Sequence, residues 1–215
     1  DNENAFSETH EKLLQTIAQQ AAIAIQNDRL YARAQDRIRQ LSALYKASNV
    51  VINKAGQAIS EAGLERDAIL QAILEQATQA TGAFFGTLQE VRGENLEFVA
   101  AWPPEQKAHL RELHQVMPLQ GRGITVRAIQ RNEAQLVGDV TQDEEFIDAT
   151  GGRTRSELVV VIRPSRANGK QPFGVINVEH EELGGFDQDD KQLLIALSNL
   201  ALIAMQNERQ AEQLS

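Results

Sequence analysis

The feature that most constrains the fold of this chain is the stretch 173–209, in which a short apolar segment is followed by a capped helix. Residues 173–179 are rich in Val and Ile, and such a run predicts a strand covered on both faces. Asp187 follows a glycine-containing turn and can accept hydrogen bonds from the free N–H groups at a helix start. Asp189 and Asp190 then lie in the first turn, where the helix dipole favours negative charge. The stretch therefore predicts a buried strand, a tight turn and a long helix.

A second feature is an internal repeat, because residues 6–30 align with residues 186–210 at a constant offset of 180. Nine of the 25 aligned positions are identical, and they keep Phe, Leu-Leu, Gln-Asn and Arg in register. The chain is therefore expected to contain the closing helix of one domain near its start and the closing helix of the next near its end.

Residues 7–54 contain neither Gly nor Pro, and apolar residues recur there at alternating spacings of three and four. Sustained heptad spacing predicts a long helix with a coiled-coil seam. A single amphipathic helix lying on its own domain is the alternative. We expect a parallel homodimer in which the terminal helices of both protomers form a bundle. The expected interface residues are Ile17, Ala24, Asn27, Tyr31, Ile38, Leu41, Tyr45, Leu197, Leu200 and Ala204.

The middle of the chain alternates short predicted helices and strands, judged from periodicity and from Gly and Pro positions. Helices are predicted at 68–81, 105–113 and 121–130. Strands are predicted at 83–91, 96–102, 116–119, 135–140, 155–162 and 173–179. Residues 142–149 are predicted to form a short acidic helix or loop.

The order and spacing of these segments, together with the capped closing helix that ends in Asn-Glu-Arg at 207–209, resemble GAF domains of the tandem, bacterial type. GAF domains are small-molecule-sensing modules of signalling proteins. The resemblance implies an α+β fold with a central antiparallel sheet of five to six strands, flanked by helices and extended by long N- and C-terminal helices. It divides the chain into the closing helix of a preceding GAF domain plus a coiled-coil linker helix (1–54), the GAF domain (55–207) and the start of a C-terminal linker helix (208–215).

The resemblance implies a non-catalytic sensor domain of a signal-transduction protein. Such a domain transmits through dimeric helices to an output module of the same polypeptide, such as the histidine kinase of a two-component system, a cyclase or a phosphodiesterase. A ligand-free dimerisation and transmission module is the alternative.

The family's ligand pocket lies between one sheet face and the mid-domain helices and loops, and the resemblance places nine residues near it. They are Phe85, Thr87, Val126, Ile129, Asp139, Phe146, Arg155, Glu157 and Asn177. Arg155 or Asn177 would orient a small polar ligand. Alternatively, Arg155 pairs with acidic neighbours and Asn177 satisfies backbone groups.

The composition limits the available chemistry, because the chain contains no cysteine. This count excludes disulfides, thiolate metal sites and thioether-linked bilins. The methionine-sulfoxide-reducing GAF enzymes use cysteines, so the same count argues against that class. We expect no enzymatic activity, no catalytic residues and no cofactor beyond an unidentified small ligand.

Net charge and histidine spacing further limit the classes of partner that we expect for this chain. The four histidines lack metal-ligand spacing, so no metal site is expected. A net charge of −9 argues against nucleic acid or anionic membrane partners. No apolar run approaches the roughly 20 residues of a membrane span. A cytoplasmic location is compatible with the absence of cysteine.

Overall fold

The computed structural model describes residues 8–55, 62–113, 117–164 and 171–214. The chain divides into two compact units, Asp1–Leu41 and Ser42–Ser215. The first contains most of α1, which spans Glu8–Ala55 and forms one helix, as its freedom from Gly and Pro predicts.

The second unit alternates helices and strands in the predicted order. They are α2 (Ala62–Thr81), β1 (Phe85–Arg92), β2 (Asn95–Trp102), α3 (Gln106–Leu113), β3 (Met117–Pro118), α4 (Ile124–Arg131), β4 (Gln135–Val137), β5 (Ser156–Ile162), β6 (Gly174–His180) and α5 (Gln188–Leu214). Several boundaries differ from the prediction. Asp67 lies inside α2 rather than at its start, and it pairs there with Arg66 at 3.2 Å. β4 ends at Val137 because Asp139 caps a short 3-10 turn.

The six strands form one antiparallel sheet in the order β3-β2-β1-β6-β5-β4. β6 therefore lies near the middle of the sheet, between β1 and β5. Val175, Ile176 and Val178 of β6 are completely buried, which confirms the prediction of a strand covered on both faces. The sheet and its flanking helices confirm the predicted α+β fold.

One face of the sheet packs against α2 and α5. Alternate strand residues such as Leu88, Leu158 and Ile176 meet Leu74 of α2 and Leu194 of α5 in the largest core. Each of these side chains is completely buried, and burying one contributes about 1.5–3 kcal/mol. The intervening strand residues point to the opposite face, where α3, α4 and the segment after β4 lie.

The start of α5 has the predicted cap. Asp187 Oδ1 accepts hydrogen bonds from the backbone N–H groups of Asp189 at 2.8 Å and Asp190 at 3.0 Å. Asp190 Oδ2 in turn accepts from the Asp187 N–H at 3.0 Å. This reciprocal arrangement satisfies free donors at the helix start and fixes where α5 begins.

The structure corrects part of the predicted dimer interface. Leu197 and Ala204 lie in the core of their own domain, and Leu200 packs partly buried against that core. Their apolar character is explained by contact with α2 and the sheet. The predicted interface residue Tyr45 has a side chain outside the described residues.

No helix among the described residues is long and apolar enough to cross a membrane.

Candidate functional site

A cavity of about 40 Å³ lies on the sheet face opposite α2 and α5. Its polar lining comes from three neighbouring strands and from the start of α4. The polar residues are Thr87, Gln89, Thr125, Glu157, Asn177 and Glu179. The remaining lining residues are Phe85, Phe98, Leu110, Met117, Gly123, Ile124, Ile147 and Ala149.

Strand register brings the two acidic side chains of this cavity together. Glu179 of β6 is paired with Glu157 of β5 on one side and with Phe85 of β1 on the other. Directly opposite residues of antiparallel strands have Cα atoms about 4.5–5.5 Å apart and point to the same face. Both glutamates are 4% exposed. Two carboxyl groups therefore share one buried wall.

Burial changes the protonation of both carboxyl groups. Burial raises the pKa of Glu157 well above its usual value. The charges of Glu179 and Asp143 raise this pKa further, whereas the charge of Arg127 lowers it. Burial also raises the pKa of Glu179 to about 7, against hydrogen bonds that favour its ionised form. The raised pKa favours the protonated form of Glu157, which can donate a hydrogen bond.

A short hydrogen-bond chain holds Glu179. Asn177 Nδ2 donates to Glu179 Oε1 at 3.0 Å, and the Thr154 hydroxyl donates to Oε2. The Thr150 and Thr154 hydroxyls lie 2.7 Å apart. These contacts orient Glu179 and connect the cavity wall to the segment that precedes β5.

Two amide oxygens of the cavity lining are buried and make no hydrogen bond within the described part of the chain, Gln89 Oε1 and Asn177 Oδ1. The amide nitrogens of both side chains are occupied, by Met117 Sδ at 3.2 Å and by Glu179. Buried acceptors normally have partners. The free oxygens can therefore accept hydrogen bonds from the N–H groups of a ligand.

An ion pair fixes the beginning of the covering segment, residues 143–149, part of which lines the cavity. The Arg127 guanidinium of α4 donates two parallel hydrogen bonds to Asp143, at 2.8 and 2.6 Å. The two side chains are only 13% and 15% exposed, so water screens the pair weakly. The guanidinium also holds the pKa of Asp143 below its usual value. Ile147 and Ala149, a few residues further on, line the cavity.

A larger cavity of about 330 Å³ lies beside the first and shares Phe85 and Ala149 with it. Arg153 contributes to its wall, with the guanidinium carbon 4.6 Å from the centroid of the Phe84 ring. Gly151 and Gly152 in this loop have φ values of 70° and 81°, a conformation that residues with a Cβ rarely adopt. The loop between the two cavities thus depends on these two glycines for its shape.

The structure brings four of the nine predicted pocket residues to the cavity: Phe85, Thr87, Glu157 and Asn177. The other five lie elsewhere. Val126 and Ile129 are buried in the core under α4, and Phe146 packs against that core. Asp139 caps the 3-10 turn by accepting from the Thr141 N–H at 3.0 Å. Arg155 precedes β5, and its side chain is exposed and does not line this cavity.

Sequence reasoning missed Gln89 and Glu179, although strand periodicity could have found them. Each stands two positions beyond a correctly predicted residue of the same strand, Thr87 in β1 and Asn177 in β6. Alternate strand residues share a face. The described residues contain no group of three or more His, Cys, Asp or Glu that could hold a metal ion.

Comparison with known proteins gives the family and a class of relatives. The sequence profile of the GAF domain family matches residues 63–206. A free methionine-R-sulfoxide reductase of Saccharomyces cerevisiae is 36% identical over 80 residues, which cover 37% of this chain and 42% of that protein. The match thus spans less than half the length of this relative.

Solved structures resemble the fold. A type II free methionine-R-sulfoxide reductase from Thermoplasma acidophilum has a TM-score of 0.58 at 17% identity, covering 68% of this chain and 96% of that chain. The Neisseria meningitidis free methionine-R-sulfoxide reductase, in complex with its substrate, has a TM-score of 0.56 at 22% identity, covering 78% and 93%. The GAF domain of a Coxiella burnetii phosphoenolpyruvate-protein phosphotransferase has a TM-score of 0.63 at 12% identity, covering 82% and 98%. At these identities the likeness concerns the fold.

These findings correct the functional prediction. The chain was expected to be a non-catalytic sensor of a signal-transduction protein, such as the regulatory region of a histidine kinase, and not an enzyme. The yeast relative and several of the similar structures are instead enzymes, free methionine-R-sulfoxide reductases. The sensor prediction came from the GAF resemblance, and the absence of cysteine had argued against the reductase class.

Proposed function

The chain belongs to the GAF domain family, and from that premise we propose that its cavity is the active site of a reductase. The proposed substrate is a small sulfoxide that carries an amino group, of the free methionine-R-sulfoxide class, and the proposed reductant is a thiol from a second molecule. The name of the yeast relative supports the substrate class. The observation that carries the proposal is the carboxyl group of Glu157, which is 4% exposed in the cavity wall and whose pKa is raised by burial.

The proposed catalytic group is Glu157, acting as a general acid. A sulfoxide oxygen accepts hydrogen bonds, and the protonated Glu157 carboxyl is a donor beside the cavity. Proton donation to this oxygen makes the sulfur more electrophilic and lets the oxygen leave as water. A positioned acid of this kind contributes about 10²–10⁴-fold to a rate.

The proposed substrate-binding groups are the free amide oxygens of Gln89 and Asn177. An ammonium group offers three N–H donors and would satisfy both buried oxygens. Phe85 and Phe98 supply apolar contact for the carbon chain between the ammonium and the sulfur. This lining favours a small molecule with a cationic and an apolar part.

The thiol has to come from outside the chain, because the sequence contains no cysteine. A first thiol attacks the sulfoxide sulfur, forming an S–S bond while the S–O bond breaks. A second thiol then attacks the sulfur of the first, which forms a disulfide and releases the thioether. One sulfoxide and two thiols thus give one thioether, one disulfide and one water. A cytoplasmic location, where small thiols are kept reduced, fits this requirement.

Substrate entry requires movement of the covering segment. A cavity of about 40 Å³ has room for roughly three water molecules, which is less than an amino acid needs. Ile147 and Ala149 are the lining residues contributed by this segment, and Ile147 is 39% exposed. Their displacement would join the cavity to the larger one beside Ala149, from which a thiol could approach.

The test is to incubate the purified chain with methionine-R-sulfoxide and dithiothreitol and to quantify methionine by mass spectrometry. We expect methionine to form faster than with dithiothreitol alone. Glu157→Gln should lower the rate about 100-fold, because an amide cannot transfer the proton. Arg155→Gln, at an exposed side chain outside the cavity, is the matched control and should retain the rate.

Calorimetric titration of the same sulfoxide separates binding from turnover. Equal rates for the wild type and Glu157→Gln would contradict the role of Glu157 as the general acid. Binding without turnover, tested with several small thiols, would overturn the catalytic proposal and leave a binding site alone.

A further inference from the structure

We infer that residues 8–30, the first half of α1, are built to pack against the sheet and α2 helix of another GAF domain, in the place that α5 occupies in the domain described here. The inference rests on two independent observations, the sequence repeat between the two helices and the opposite burial of the repeated positions. It does not depend on the proposed enzymatic function.

The repeated positions are buried in α5 and exposed in α1. Leu194 and Leu197 are completely buried in the core between α2 and the sheet. Their counterparts at the offset of 180 are Leu14 and Ile17, which are 57% and 52% exposed. Two helices with the same apolar pattern need the same kind of cover, because exposing such a stripe costs the free energy that its burial would contribute.

The width of the stripe identifies the kind of surface that fits it. Buried residues of α5 occur in adjacent pairs, at 193/194, 197/198, 201/202 and 204/205. α1 has apolar residues at all eight aligned positions, namely Leu13, Leu14, Ile17, Ala18, Ala21, Ala22, Ala24 and Ile25. A coiled-coil seam with one partner helix needs only a narrow stripe, whereas a helix lying on a globular layer needs a stripe wider than about 100°.

The surface that fits residues 8–30 is therefore an apolar sheet face bordered by a helix. In the domain described here, Leu74, Leu158 and Ile176 form such a surface. α5 already covers that layer in this domain, with Leu194 and Leu197 at its centre. The partner is thus a different GAF domain, whose closing helix is α1. The surface of this partner that contacts α1 is therefore apolar, like the α2 and sheet layer of the domain described here.

A helix transplant tests this inference within the full chain. Residues 188–210 are replaced by a second copy of residues 8–30, and thermal unfolding is followed by circular dichroism. If α1 is a closing helix, the chimera unfolds cooperatively, with a midpoint within about 15 °C of the unaltered chain. The matched control replaces the same segment by residues 30–52 of α1, which lack the repeat, and should show no cooperative transition.

A pair of substitutions in the transplanted segment tests the register. Leu14→Ser corresponds to the completely buried Leu194 and should lower the midpoint of the chimera by about 10 °C. Ile23→Ser corresponds to Ile203, which is 44% exposed, and should lower it by less than about 4 °C. In the native α1 of the unaltered chain, where both side chains are exposed, the two changes should have equal, small effects.

Three results would overturn the inference. They are an 8–30 chimera without a cooperative transition, a 30–52 chimera that unfolds just as cooperatively, and equal effects of Leu14→Ser and Ile23→Ser in the chimera. Failure of methionine formation in the enzymatic assay leaves these outcomes unaffected.

Discussion

Glu157 and Glu179 lie directly opposite each other on β5 and β6, and each side chain is 4% exposed. Two carboxylates held this close and shielded from water repel each other, so ionisation of one opposes ionisation of the other. Burial and this repulsion both favour a proton on the cavity wall. This proton is the basis of the proposed acid catalysis and of the first prediction.

The stability of the fold should fall as the pH rises from 4.5 to 7. Burial raises the pKa of Glu179 from 4.5 to about 7, so in this window the folded state binds more protons than the unfolded state. The free energy of unfolding therefore decreases with pH. The shift corresponds to a loss of about 3 kcal/mol between pH 4.5 and pH 8.

Glu179→Gln removes this contribution, because the amide is uncharged at every pH, and it also removes the charge that raises the pKa of Glu157. We expect urea unfolding at pH 5 and pH 8 to show about 2.5 kcal/mol less pH dependence in the variant than in the wild type. Burial also raises the pKa of Asp190, to about 6, but this residue is present in both proteins and cancels in the comparison. An identical pH dependence in the two proteins would contradict the assigned protonation of Glu179.

Removal of the Arg127 side chain should destabilise the domain, because the Asp143 carboxylate loses its cationic partner. Arg127→Ala removes both guanidinium hydrogen bonds from the largely buried Asp143 carboxylate, which keeps the one from the Glu145 N–H. We expect a loss of about 3 kcal/mol at pH 7 in urea unfolding. Arg153→Ala is the control, because its pair with Glu181 is exposed on both sides and contributes less than about 1 kcal/mol. Equal losses in the two variants would refute the role given to Asp143.

The second half of α1 is expected to hold two protomers together. Ile38 and Leu41 are 66% and 55% exposed in the single chain, and burying each in a parallel dimer would contribute about 1.5–3 kcal/mol. Light scattering should show a dimer for the wild type and a shift towards monomer for the variant with Ile38→Ser and Leu41→Ser. Gln35→Ser, on the same helix, is the control and should stay dimeric. A monomeric wild type at high micromolar concentration would refute the dimer.

The sequence predicted those helices and strands whose signals come from residues that are close together in the chain. The Asp187 cap, the absence of Gly and Pro in α1 and the apolar run of β6 each depend on neighbours in the chain. These signals gave the boundaries of most elements to within a few residues. α2 is an exception, because Asp67 resembles an N-cap residue but lies inside the helix.

The site was only partly predictable, because it depends on contacts between distant segments. The facing of Glu157 and Glu179 follows from the register of β5 against β6, which no local signal determines. The facing of Val126 and Ile129 on α4 depends on how this eight-residue helix is rotated about its axis. Contacts such as that between Arg127 and Asp143 fix α4 relative to the covering segment, and they join residues that are 16 positions apart.

Because the hydrogen-bonded Glu179 carboxyl can release a proton when a ligand binds, the measured enthalpy of binding should depend on the buffer. Near pH 7 this group is about half protonated on average, since its pKa is about 7. A ligand whose ammonium group pairs with the ionised form expels the remaining fraction of a proton, which the buffer takes up. A ligand whose oxygen accepts from the protonated Glu157 leaves the proton count unchanged. The slope of the binding enthalpy against the ionisation enthalpy of the buffer therefore reports which end of a ligand meets the paired carboxyl groups.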